Sequence, residues 1–129
     1  MSQSTEQHLL DLTQQLLECV AAGDWETYQS LCDPTLSAFE PEARGELVVG
    51  MDFHRFYFAL EHEPGPAQTT MIAPHVRCLG SDVAVVSYVR LIQHLGPDRQ
   101  PRTARFEETR VWQQQDGSWR NVHFHRSGG

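Results

Sequence analysis

Residues Thr69–Leu95 read TTMIAPHVRCLGSDVAVVSYVRLIQHL. Val, Ile, Thr and Tyr crowd this stretch, and its apolar period is two, the side-chain alternation of a β-strand. Gly80-Ser81-Asp82 divides it, as a turn would. The segment therefore reads as two strands, Thr69–Leu79 and Val83–Leu95. The pattern continues downstream. Gly96-Pro97-Asp98 and Asp116-Gly117 are further turn signals, and they bound strands over Arg102–Gln114 and Ser118–Arg126.

Upstream of Gln68 the period is helical. Ser4-Thr5-Glu6-Gln7 has the form of a capping box, and Leu9, Leu10, Leu12, Leu16, Leu17 and Val20 follow at helical spacing. This predicts a long amphipathic helix over Thr5–Ala22, stopped at Gly23. Asp24 is placed to cap a short helix, Trp25–Leu31, which Asp33-Pro34 ends. A strand over Thr35–Phe39, a turn at Glu40-Pro41-Glu42 and a brief strand over Glu46–Val49 come next. Asp52 is then expected to cap a third helix carrying Phe53, Phe56, Tyr57 and Leu60. Helices first and hairpin-linked strands afterwards mark an α+β fold, with helices packed on one face of an antiparallel sheet. A sheet bent around a long helix encloses a cavity, the usual seat of a ligand.

The 129 residues suit one domain spanning 1–129. Hydrophobic content of 40% and charged content of 21% are those of a soluble globular chain. A net charge of −7 disfavours nucleic acid and anionic membranes as partners. No run approaches the ~18 apolar residues of a membrane span. The N-terminus MSQSTEQHLL lacks the pattern of a secretory signal. Cys19, Cys32 and Cys78 are odd in number and fit no metal spacing, so reduced thiols and a cytoplasmic location are expected.

Three arginines sit among apolar or aromatic neighbours on the expected strands: Arg90 in SYVRLIQ, Arg110 in EETRVW and Arg126 in HFHRSG. A buried arginine needs partners. A carboxylate such as Glu107 or Glu108 would serve, while several arginines on one concave face would instead form an anion pocket. The last hairpin decides which faces they share. A two-residue turn at Asp116-Gly117 pairs Arg110 with His123 and sends Arg126 to the opposite face. A three-residue turn, Gln115-Asp116-Gly117, pairs Arg110 with Val122 and returns Arg126 to the face of Arg110. Both are open. His123 and His125 point the same way on a strand, but a metal site needs a third ligand, and neither His54 nor His75 stands at a metal spacing. His54 with Asp52 or a cavity carboxylate is the one acid–base pair available. No nucleophilic triad, phosphate loop or dinucleotide fingerprint is present, so no cofactor is expected.

The stretch CDPTLSAFEPEARGELVVGMDFHRFYF strongly resembles the association (hub) domain of calcium/calmodulin-dependent protein kinase II. The likeness continues in PHVRCLGSDVAVVSYVRLIQ, QPRTARFEETRVW and DGSWRNVHFHRSG, from about Leu9 to Gly128. The resemblance implies a cone-shaped fold of the nuclear transport factor 2-like (cystatin-like) class. It implies self-assembly: dimers stacked into a two-tiered ring of about a dozen or more subunits, which in the calmodulin-binding parent kinase gathers catalytic domains. It also implies a deep pocket for small carboxylates, lined here by Arg90, Arg110, Arg126, His54 and Tyr28. That convergence would require the three-residue turn. His123 and His125 are then sheet residues facing away from the pocket.

The sequence departs from the family in two places. It begins at its own Met1 without a kinase domain, calmodulin-binding helix or linker. Ala59–Gln68, ALEHEPGPAQ, is short and lacks the family's tryptophan, which puts ligand-gated loop motion in doubt. The leading expectation is a non-enzymatic self-association module with a carboxylate pocket. A stand-alone small-molecule-binding protein, or a cavity enzyme of the isomerase or dehydratase kind, is the alternative.

Overall fold

A computed structural model describes residues 4–60 and 67–128. The first helix, α1 (Thr5–Ala22), begins where Ser4 Oγ accepts the Gln7 N–H at 3.1 Å. The reciprocal half of the expected capping box is replaced, because the Gln7 amide donates to Asp11 instead. Gly23 ends α1 at φ 70°, and its N–H bonds the Cys19 and Val20 carbonyls. Only glycine adopts that left-handed backbone at no cost. Asp24 accepts the Thr27 N–H and so caps α2 (Trp25–Leu31).

Strand β1 (Cys32–Phe39) starts three residues earlier than the sequence suggests. Pro34 lies within it, in the interval between Cys32 and Ser37 where its ladder to a neighbouring strand breaks register, as a residue without an N–H must. A 3₁₀ turn, Pro41–Ala43, leads to the two-residue β2 (Val48–Val49) and then α3 (Asp52–Ala59). Asp52 is not the cap of α3. Met51 holds that position without a side-chain bond, and Asp52 is the first helical residue, where its carboxylate meets the positive end of the helix dipole. The short stretch Ala59–Gln68 and its role in loop motion fall largely on residues 61–66, outside the described residues.

The four long strands follow as expected: β3 (Ala67–Leu79), β4 (Val83–Leu95), β5 (Pro101–Gln115) and β6 (Ser118–Gly128). The sheet order is β2-β1-β6-β5-β4-β3. It is antiparallel except that β1 runs parallel to β6. A parallel neighbour requires a long crossover, and here everything from β2 to β5 supplies it.

The last hairpin follows neither of the two expected registers. Asp116 (φ 50°) and Gly117 (φ 82°) form a two-residue turn with both residues left-handed, so Gln115 pairs with Ser118 and Trp112 with Asn121. The ladder then shifts: Val111 pairs with His123, leaving Val122 as the extra residue of a β-bulge. Beyond the bulge Arg110 opposes Phe124 and Glu108 opposes Arg126. A tight turn and a bulge together bring Arg126 to the face of Arg110, the result expected from a longer turn.

Leu9, Leu16 and Leu17 of α1 pack into the sheet's inner face against Leu36, Ala38, Ala84, Val86 and Trp112, all with no exposed surface. Replacing Leu16 by Ala should cost about 3 kcal/mol, since burial is lost and a cavity opens in a tightly packed site. A urea titration with unchanged m-value and a lowered midpoint would record it. A cost below that of a surface substitution would contradict this packing.

Candidate functional site

One cavity of about 210 Å³ opens between α1, α2, α3 and the inner face of the sheet. Arg90, Arg110, Arg126, His54 and Tyr28 all border it, so the bulge brings the expected residues together. Glu40, Glu42, Tyr57, Phe58, Phe124 and Val20 complete the wall. His123 and His125 alternate with Phe124 on β6 and face the other side. They are thus separated by the sheet from His54, the ligand a metal there would need.

The floor is one charged cluster. Glu108, whose side chain is fully buried, bonds Arg90 Nη1 at 3.2 Å and accepts from Arg110 Nη2 at 3.4 Å. It also accepts the Tyr88 hydroxyl at 2.6 Å, and that hydroxyl accepts from Arg110 Nε at 2.9 Å. Arg90 Nε completes its bonding on Thr69 Oγ1 at 3.1 Å. Burial opposes ionisation of Glu108, but Arg110 and Arg90 outweigh it and hold the carboxyl below its ordinary range. The guanidinium of Arg110 stacks over Phe124 with its carbon 4.5 Å from the ring centre.

The rim is built on a turn that the sequence marks only as a turn. Glu42 bonds Arg126 Nη2, and Glu40 approaches the same nitrogen at 3.7 Å. Glu40 Oε1 lies 3.4 Å from His54 Nδ1, so the carboxylate facing His54 is Glu40, not Asp52. No local pattern in FEPEA marks these two glutamates as pocket residues. They arrive because β1 pairs with the strand that carries Arg126.

Charge is only partly balanced. Burial raises the Glu40 carboxyl to about 7, an effect that Arg126 opposes and Glu42 reinforces. Burial, then Arg110 and Arg126, lowers the His54 imidazole to about 4. Near neutral pH His54 is uncharged and Glu40 is half-protonated. Three guanidinium groups then face fewer than three full negative charges. Among the described residues, Arg110 Nη1, Arg126 Nε and His54 Nε2 are buried without a hydrogen-bond partner. The unmet guanidinium donors of Arg110 and Arg126 are what an anionic oxygen ligand satisfies, while Glu40 Oε1 is an unmet acceptor on the same wall.

These titrations have opposite signs in stability. Glu40 stabilises the fold most below about 4.5, and that contribution is lost as pH rises through about 7. His54 contributes fully above 6.5 and loses its contribution as pH falls towards about 4. Glu40→Gln fixes the neutral state. Relative to wild type it should gain about 3 kcal/mol between pH 4.5 and 7.5, read from urea midpoints along a pH series. A pH-independent difference between the two proteins would show that Glu40 ionises normally.

The comparisons agree with this architecture. The family model for the calcium/calmodulin dependent protein kinase II association domain matches residues 5–129. The delta subunit of calcium/calmodulin-dependent protein kinase type II from Oryctolagus cuniculus is 51% identical over 125 residues, covering 95% of this chain and 24% of that protein. The chain thus spans about a quarter of that relative's length. The solved hub homology domain from Chlamydamonas reinhardtii is 46% identical, with TM-score 0.92 and coverage of 98% of this chain and 99% of that one. The S. rosetta hub is 39% identical, with TM-score 0.88 and full coverage of both chains. A nuclear transport factor 2-like protein from Salmonella enterica, at 22% identity, TM-score 0.76 and coverage of 95% of this chain and 89% of that one, shares the fold alone. The matched unit is an association domain. The chain belongs to the calcium/calmodulin dependent protein kinase II association domain family.

Proposed function

We propose that this domain closes into a ring-shaped homo-oligomer of about a dozen or more subunits, and that the cavity of each subunit binds a small carboxylate. Its family is one of association domains, which support oligomer assembly. The ring and the carboxylate go further than that. The observation that carries the carboxylate is the buried, unpartnered Nη1 of Arg110 at the cavity wall, with Arg126 Nε and His54 Nε2 equally unmet. A cavity of about 210 Å³ suits a compact acid, not a drug-sized ligand. Arg110 supplies a planar fork for two carboxylate oxygens. Tyr28 and Phe58, with ring centres 4.8 Å apart, would hold a short aliphatic stem. Cys19, Cys32 and Cys78 are free thiols, which suits a reducing compartment, and we place the domain in the cytoplasm.

Arg110→Ala should abolish binding of a short carboxylate, and Arg126→Gln should weaken it at least tenfold. Arg126 is the cleaner test, since Arg110 also partners Glu108. Calorimetry with butyrate as probe reads both, and unchanged affinity in Arg126→Gln removes Arg126 from the site. Assembly mass should persist in Arg126→Gln.

Affinity should also fall as pH rises from 6 to 8. Glu40, flanked by Arg126, Glu42, Arg110 and Glu108, then ionises and competes for Arg126. Binding in this range takes up a proton, detectable as a buffer-dependent heat. A flat affinity profile would exclude Glu40 from the anion's surroundings.

A further inference from the structure

The carboxylates that hold the cavity's arginines are not held equally themselves. Glu108 has no exposed surface and three partners, Arg90, Arg110 and the Tyr88 hydroxyl. Releasing it would strand two buried cations, so the floor is fixed. Glu40 is fixed as well. Its side chain is 6% exposed and lies 3.4 Å from His54 Nδ1 and 3.7 Å from Arg126 Nη2. Glu42 differs from both. Its side chain is 38% exposed, and the bond to Arg126 Nη2 is the one hydrogen bond of its carboxylate among the described residues.

The turn that carries Glu42 can stay in place while its side chain moves. Pro41–Ala43 is a 3₁₀ turn closed by two backbone bonds, Ala43 N–H to the Glu40 carbonyl and Arg44 N–H to the Pro41 carbonyl, each at 3.0 Å. Pro41 fixes its own φ. Neither bond uses the Glu42 side chain. Rotation about the side-chain bonds of Glu42 therefore swings its carboxylate from Arg126 into water without moving the backbone.

The edge of Arg126 that Glu42 occupies is the one an anion needs. Nε and Nη2 of a guanidinium share an edge, and their N–H bonds run parallel, so this edge grips a carboxylate with two bonds. In Arg110 the same edge is taken by the protein, Nε by Tyr88 and Nη2 by Glu108. In Arg126 it is half taken. Nη2 is on Glu42, while Nε is buried without a partner. The Arg126 guanidinium carbon lies 5.2 Å from the centre of the Phe106 ring, a contact that keeps the edge in place when the acid leaves.

We infer that Glu42 is a resident competitor for the ligand of this cavity, and that an incoming carboxylate displaces it from Arg126 and takes both Nε and Nη2. The inference rests on the carboxylate reading of the cavity. It adds what keeps the site partly closed to anions and which edge receives the head group. The exchange replaces one carboxylate on Arg126 by another. Two bonds stand where there was one, the unmet Nε gains a partner, and Glu42 returns to water that already reaches it. Arg110 Nη1, also buried and unmet, is a further donor on the same wall. Ion pairs with an exposed partner shift an equilibrium by up to about fivefold, which sets the size of the competition.

The test is a mutant cycle on the full chain, with butyrate as probe. Ligand-observed NMR reads the affinities, and circular dichroism confirms folding. The measurements are made at pH 6, where Glu40 is mostly protonated and competes little for Arg126. Glu42→Gln should bind butyrate about fivefold more tightly than wild type, and Glu42→Ala at least as tightly as Glu42→Gln. Arg126→Gln has no edge to release. Adding Glu42→Gln to it should bring no gain, so that both Arg126→Gln proteins bind alike or neither binds. Equal gains with and without Arg126 would show a general effect of charge and overturn the competition. Unchanged or weaker binding in both Glu42 variants overturns it too, weaker binding by making Glu42 a support of Arg126. Butyrate binding that appears only in the Glu42 variants supports it. If wild type and the Glu42 variants all fail to bind, the carboxylate reading itself falls, and this inference with it.

Discussion

The structure turns on Glu108. A single side chain with no exposed surface binds two guanidinium groups and a tyrosine hydroxyl drawn from β4 and β5. Without it Arg90 would keep only Thr69, and Arg110 only the Tyr88 hydroxyl and the Phe124 ring, leaving two buried cations with no opposite charge in contact. With it they are fixed in place, one nitrogen of Arg110 is left over, and a hollow forms where α1 and α3 cannot close onto charge. The hollow is therefore a consequence of how the core accommodates ions, not a gap left by poor packing.

The same sheet serves two chemistries because its side chains alternate. Inward positions on β4 and β5 carry Tyr88, Arg90, Glu108 and Arg110; outward ones carry Val85, Ser87, Val89, Thr109 and Val111. Neither set could move by one residue without exchanging places with the other. On β6 the alternation is reset once, at Val122, and this keeps Phe124 and Arg126 inside while His123 and His125 stay outside. The rim adds a second tier of charge, where Glu40 and Glu42 hold Arg126 much as Glu108 holds its two arginines.

Much of this is legible in the sequence, and the exceptions share a cause. The bounds of α1 and α2 follow from Ser4, Gly23 and Asp24, since caps and stops act within a few residues. The bounds of β4 follow from Gly80-Ser81-Asp82 and Gly96-Pro97-Asp98 for the same reason. The arginines stand out because charge among aliphatic residues is anomalous wherever it occurs. The bulge at Val122 leaves no such mark: valine is at home in any strand, and the register shift depends on how β5 and β6 bend together. Glu40 and Glu42 are equally silent, because two glutamates beside a proline describe any surface turn. Only the parallel pairing of β1 with β6 gives them a role. Asp52 misled for the opposite reason, since an aspartate at a helix start fits both the cap and the first turn.

That parallel pairing also orders events in time. Ser37 and His123 meet across 86 residues of chain, whereas β3 to β6 are joined by short turns. Closing a loop of that length costs about 4 kcal/mol of chain entropy, so the hairpins have every advantage in forming first. Arg90, Arg110 and Glu108 can come together within them. Glu40, Glu42 and the closed side of the cavity wait for β1 to dock beside β6. The floor of the hollow belongs to the early, local part of folding and its rim to the late, long-range part. Loosening of β1 in the native state would open the rim while leaving the floor intact.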